Sequence, residues 1–142
     1  LLDPDYPYRA EATADLADCD FRRGDFVSAR ETALRALEAG ATGPACLTLG
    51  AVAFEYFDLV EATEWLEQAI TASSEGDATW LTAQSVLSDV FAQRGEAFAE
   101  RLLQHAKAAL AHCEPGSDWV GPLEAHVEQA KAWLLGQDRW LN

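Results

Sequence analysis

Apolar residues recur at three- and four-residue spacings along most of this chain, and turn-forming residues break the pattern at near-regular intervals. Over residues 8–22, Ala12, Leu16, Cys19 and Phe21 or Arg22 fall at helical spacing. Arg23-Gly24-Asp25 ends that helix: Gly24 can take the left-handed conformation and Asp25 can cap the next helix. This second helix runs to about residue 38, with small residues at Ala29, Ala33 and Ala36. After a loop at 39–44, a third helix is predicted over 44–56, opened by Pro44, whose missing N–H costs nothing in a first turn. Gly50 inside it costs about 1 kcal/mol relative to alanine, which a close helix–helix approach would offset.

Asp58 is a candidate cap for a fourth helix to about residue 72, with Leu59, Ala62, Leu66, Ala69 and Ile70 on its apolar stripe and Glu61, Glu64 and Glu67 on its wet side. A loop at 73–77 precedes a fifth helix carrying Trp80, Leu81, Gln84, Leu87, Val90 and Phe91. Gln93-Arg94-Gly95 repeats the earlier Arg-Gly break. A sixth helix over about 96–112 buries Phe98 or Ala99, Leu102, Leu103, Ala106 and Leu110. Pro122 opens a seventh to about 135, with Leu123, Val127, Ala130, Trp133 and Leu134, and Gly136-Gln137-Asp138 reads as one more turn. Alternation of apolar and polar residues is nowhere sustained, so no strand is expected.

Three stretches align. Leu16-Ala17, Gly24-Asp25-Phe26, Ala29, Ala33 and Ala36-Leu37 form the first. Leu49-Gly50, Ala62, Leu66 and Ala69-Ile70 form the second, with Phe57 where the turn glycine would be. Leu87-Ser88, Phe91, Gly95, Ala99, Leu103 and Ala106 form the third, its second helix one residue early. On these residues the chain resembles the tetratricopeptide repeat family, helical hairpins of about 34 residues. The resemblance implies an all-α, right-handed superhelical solenoid of about three hairpins plus a C-terminal capping helix. The expected layout is an extended segment at 1–7 and a single domain at 8–142, with repeats at about 10–40, 43–75 and 78–112 and the cap at about 122–135.

The family commonly binds a peptide or helix on the face formed by the first helix of each hairpin. By register, that implies a groove of Ala14, Asp18, Phe21 and Arg22, then Leu47, Ala51, Phe54 and Glu55, then Ser85, Asp89, Ala92 and Gln93. Repeats that clamp the C-terminal carboxylates of heat-shock chaperones use Lys and Asn where this chain has Ala14, Asp18, Leu47 and Ala51, which argues against that ligand.

Charge sharpens the choice of partner. The net charge is −14, and residues 36–93 contain no Lys or Arg but nine Asp and Glu. Such a surface disfavours nucleic acid, whose phosphates need clustered basic residues, and suits a basic or apolar protein or peptide. No run of 18 apolar residues is present, so no membrane partner or span is expected. Leu1-Leu2-Asp3-Pro4 lacks the charged start and apolar core of a secretory signal, and the absence of any Met reads as an excised or processed domain. Three widely spaced cysteines, Cys19, Cys46 and Cys113, read as small buried fillers in a reducing, cytoplasmic setting.

Candidate chemistry is sparse. His105 and His112 share roughly one helix face and Cys113 follows, with His126 as a distant third ligand, but no close ligand pair supports a metal site. No phosphate loop, nucleophile elbow or zincin motif occurs. No catalytic residue, cofactor or metal is expected. Trp65 and Trp133 are expected between helices, while Trp119 and Trp140 either close the end of the stack or anchor a contact. The expected function is a non-catalytic interaction module, an adaptor or the sensor part of a larger protein. The alternatives are a dedicated chaperone for a secreted or aggregation-prone client and a structural domain that self-associates.

Overall fold

The computed structural model describes residues 8–141, with side chains as far as residue 137. The expected extended segment at 1–7 and the Trp140 side chain lie outside the described residues. Among the described residues seven α-helices follow one another: α1 (Arg9–Arg22), α2 (Phe26–Glu38), α3 (Thr42–Glu55), α4 (Leu59–Thr71), α5 (Ala78–Arg94), α6 (Ala99–His112) and α7 (Val120–Leu141). A 3-10 turn, Glu96–Phe98, precedes α6. The described residues contain no strand, and none of their helices is long and apolar enough to cross a membrane. Each helix packs on the next, and α1, α3, α5 and α7 also pack in succession; helices further apart in the order share no backbone packing.

Three helices end in the same way. Gly24 donates to the Phe21 carbonyl and Asp25 to that of Asp20. Gly40 and Ala41 repeat this on Leu37 and Ala36, and Phe57 and Asp58 on Phe54 and Ala53. This pair of hydrogen bonds needs a left-handed residue after the cap. Gly24 and Gly40 supply it freely, whereas Phe57 holds φ at +59°, a conformation costing a residue with a Cβ roughly 1–2 kcal/mol. Asp58 and Asp77 cap α4 and α5 by accepting from the backbone of Glu61 and Trp80. Asp25 takes the cap position of α2 without a side-chain bond. The first turn is held instead by buried Asp20, whose carboxylate accepts from Arg23 and, at 2.8 Å, from Ser28.

Several expectations need correction. In α1 the buried residues are Ala14, Ala17 and Asp20, not the Ala12–Leu16–Cys19 stripe; Leu16 is 49 % exposed and Cys19 is exposed. Alanines can meet α2 and α3 more closely than leucines, and Ala17, Ala33 and Leu49 share one cluster. Helix α3 begins at Thr42, two residues before the expected start, and Pro44 lies in its first turn as expected. The altered third turn is real: the 3-10 turn delays α6 to Ala99. Helix α7 begins earlier than residue 122 and runs through residues 136–138, so the fourth turn does not form.

The main core joins α3, α4, α5, α6 and α7 through Ala53, Leu66, Leu87, Val90, Phe91, Leu102 and Ala130. Helices α3 and α5 are buried on most sides, with eight buried residues each. The buried hydroxyls of Ser85 and Ser88 are satisfied by donating to the carbonyls of Leu81 and Gln84, which offsets the cost of placing polar groups there. Cys46 is the expected buried filler, and burial pushes its thiol pKa up. Trp65 and Trp133 are half-buried between helices.

A candidate partner-binding groove

A groove of about 320 Å³ opens between α1, α3, α5 and the loop before α7. Asp18 and Phe21 come from α1; Leu47, Thr48, Ala51, Phe54 and Glu55 from α3; Thr82, Val86 and Asp89 from α5; and Trp119 from the loop. The spacing explains the assembly. Leu47, Ala51 and Phe54 are four and then three residues apart, as are Thr82, Val86 and Asp89, so each set lies on one helix face. Ala14, Asp18 and Phe21 have the same spacing, and Ala14 lines an adjoining depression of about 280 Å³ with Arg22 and Pro44. On the other side, Ser85, Pro122 and Leu123 join Asp89 and Trp119 around a depression of about 260 Å³.

Seven of the expected groove residues therefore line the central space: Asp18, Phe21, Leu47, Ala51, Phe54, Glu55 and Asp89. Arg22 and Ser85 line its extensions. Gln93 is exposed and lines none of these depressions, and Ala92 packs against the main core instead. The third set is displaced because its register is counted back from Gly95. Helix α5 has 17 residues against 14 in α3, so counting from its end overshoots by about one turn. Counting from its start by the offsets of α1 and α3 reaches Ala83 and Leu87, which are buried in the core; the groove takes Thr82 and Val86, one residue earlier. Trp119 carries no positional signal in the sequence, because a loop residue joins a groove only through tertiary packing.

The floor is apolar and the rim acidic, but the three carboxylates are not equivalent. Asp18 is paired with Arg22 at 3.1 Å on the same helix. Asp89 accepts from His126 Nε2 of α7 at 2.7 Å. The Glu55 side chain has no ion pair or hydrogen bond among the described residues. Of the three carboxylates lining the central space, it is the one whose charge is not already answered from within the fold.

The histidines separate. His105 hydrogen-bonds Gln84 in the interior, His112 stands edge-on to Trp80 and 3.6 Å from Glu75, and His126 serves Asp89. Among the described residues, no three His, Cys, Asp or Glu side chains come together in a group that could hold a metal ion. The chain matches no protein-family model, and no curated protein is significantly similar to it.

Proposed function

We propose that this chain is a non-catalytic interaction module that holds a segment of a partner protein in the groove, and that its helices form a right-handed solenoid of three tetratricopeptide-like hairpins and a capping helix. Repetition at the packing positions supports the architecture. Ala29, Ala62 and Ala99 are 0–1 % exposed, and Ala36, Ala69 and Ala106 are all 0 % exposed. Such a stack must bury each hairpin's apolar side on its neighbours. It also brings the first helix of each hairpin to one side.

The observation that carries the function is the convergence of α1, α3 and α5 on one apolar groove whose uncommitted rim charge is Glu55. Apolar side chains fill the space between Phe21, Leu47, Phe54 and Val86, and a neighbouring Lys or Arg answers Glu55. The occupant is an apolar polypeptide segment with a basic flank. Peptides selected on the full chain from a random library should be rich in large apolar residues and carry Lys or Arg. Their affinity should fall several-fold between about 0.05 M and about 0.5 M salt. Glu55→Lys should weaken them about tenfold, the equivalent of ~1.4 kcal/mol. Asp18→Asn and Asp89→Asn should cost less, because those charges are already paired. Binding indifferent both to salt and to Glu55→Lys would falsify this reading.

A further inference from the structure

The turn between α3 and α4 carries two aromatic side chains that lie mostly in water. Tyr56 is 60 % exposed and Phe57 is 65 % exposed. Phe57 occupies the left-handed position that glycine holds at the ends of α1 and α2, and it belongs to no buried cluster. A bulky residue strained in the backbone, with its ring in water, lowers stability. Residues of that kind are concentrated at contact sites.

Its neighbours give the position a context. Phe21 in the groove wall lies 5.4 Å from Phe26, ring to ring, and Phe26 meets Tyr56 edge-on at 6.1 Å. The aromatic surface of the groove thus continues around the turn end of the first two hairpins to the base of Phe57. Exposed Val27 and Val60 come just after these same two turns.

Charge decides what could cover this edge. The nearby arginines are already engaged: Arg22 with Asp18, Arg23 with Asp20 and Arg30 with Glu61. Glu55 and Asp58 flank the rings, inside the span 36–93 that holds no basic residue. A second copy would bring the same acidic span and another net charge of −14 against it. A cationic, apolar polypeptide meets no such repulsion.

We propose that Phe26, Tyr56 and Phe57 form a second contact surface for the polypeptide held in the groove. The bound segment leaves the groove past Phe21 and lays one large apolar side chain against Tyr56 and Phe57. This rests on the groove reading above and extends it from a pocket to a path that turns the corner of the molecule.

The probes are peptides of ~14 residues selected on the full chain from a random library, and versions cut to ~6 residues, which span ~20 Å extended and cover the groove alone. Phe57→Gly should raise the melting temperature by a few degrees, because glycine takes the left-handed turn without strain. The same change should weaken the long peptides about tenfold and leave the short ones unaffected. Tyr56→Ser, which leaves the turn residue in place, should weaken the long peptides in the same sense. If Glu55→Lys weakens the long peptides while Phe57→Gly and Tyr56→Ser do not, the edge proposal is wrong and the groove stands. If the edge variants act while Glu55→Lys does not, the groove reading falls and the path with it. A library that yields no binder overturns both. A dimer in light scattering that Phe57→Gly abolishes makes the edge a self-contact and overturns the proposal.

Discussion

His105 shows how this fold accommodates a titratable side chain. Its Nδ1 lies 2.5 Å from Gln84 Oε1, an acceptor, so Nδ1 carries the proton, and its ring lies 5.5 Å from Phe91. Burial foremost, and then the charge of Arg101, push its pKa below 6.5 against a smaller opposing effect of Glu67. The unfolded chain therefore takes up the proton first as pH falls. The contribution of His105 is complete above about pH 6.5 and shrinks on acidification until the lowered folded-state pKa is passed. The urea midpoint should drop between about pH 7 and about pH 5.5, and His105→Gln should remove that part of the slope. A slope unchanged by the substitution would assign it to other groups. At this scale the sequence is a poor guide where the signal is alanine. Leu16 and Cys19 look like core beside Ala14 and Ala17, yet the alanines are buried because only they allow α1 so close to its neighbours.

Between elements, the crossing of α3 and α4 is set by Gly50. A Cβ there would lie 2.6 Å and 2.8 Å from two carbons of Leu66 and 3.4 Å from the Ala62 carbonyl oxygen. Leu66 is fully buried and has nowhere to swing. Gly50→Ala gains about 1 kcal/mol of helix propensity but overpacks a filled interface, at a cost of about 1–3 kcal/mol. The net expectation is a loss of roughly 1 kcal/mol in denaturant unfolding. In the Leu66→Ala background the clash is gone, so Gly50→Ala should become neutral or stabilising there. Equal effects in both backgrounds would show that the approach is not what the glycine serves. The close contact is legible in the sequence, since a glycine within an apolar helix calls for a reason. The identity of its neighbour is legible only through the repeat register.

For the whole molecule, packing reaches no further than two helices along the order. Stability should then vary from one end to the other rather than act as a single block. Beyond each other, α1 and α2 have backbone packing on α3 only and contribute mainly alanines, with Trp65 of α4 also against their cluster, whereas α5 packs on α3, α4, α6 and α7. Hydrogen exchange should be fastest in α1 and α2 and slowest in α5, and equal protection throughout would show a single cooperative unit. Two ion pairs tie α4 to α2 and to α6: Arg30 with Glu61 and Arg101 with Glu67. Both are at least partly exposed, so each adds at most about 1 kcal/mol.

Residue order is enough to set the helices, most of their ends and the positions that have to be small. Those features depend on local conformation and on spacing along one helix, which the order of residues states directly. It also places most of the groove on the faces of α1 and α3, because those helices are equal in length and share a register. Packing between distant parts of the chain is needed to turn Thr82 and Val86, rather than Ala92 and Gln93, toward the groove, and to close one side with Trp119. The same packing brings His126 to Asp89, and with Arg22 already on Asp18 it leaves Glu55 free. These outcomes depend on how far α5 extends and on which residues distant in the chain are brought within a few ångströms, and neither is written in any single stretch of residues.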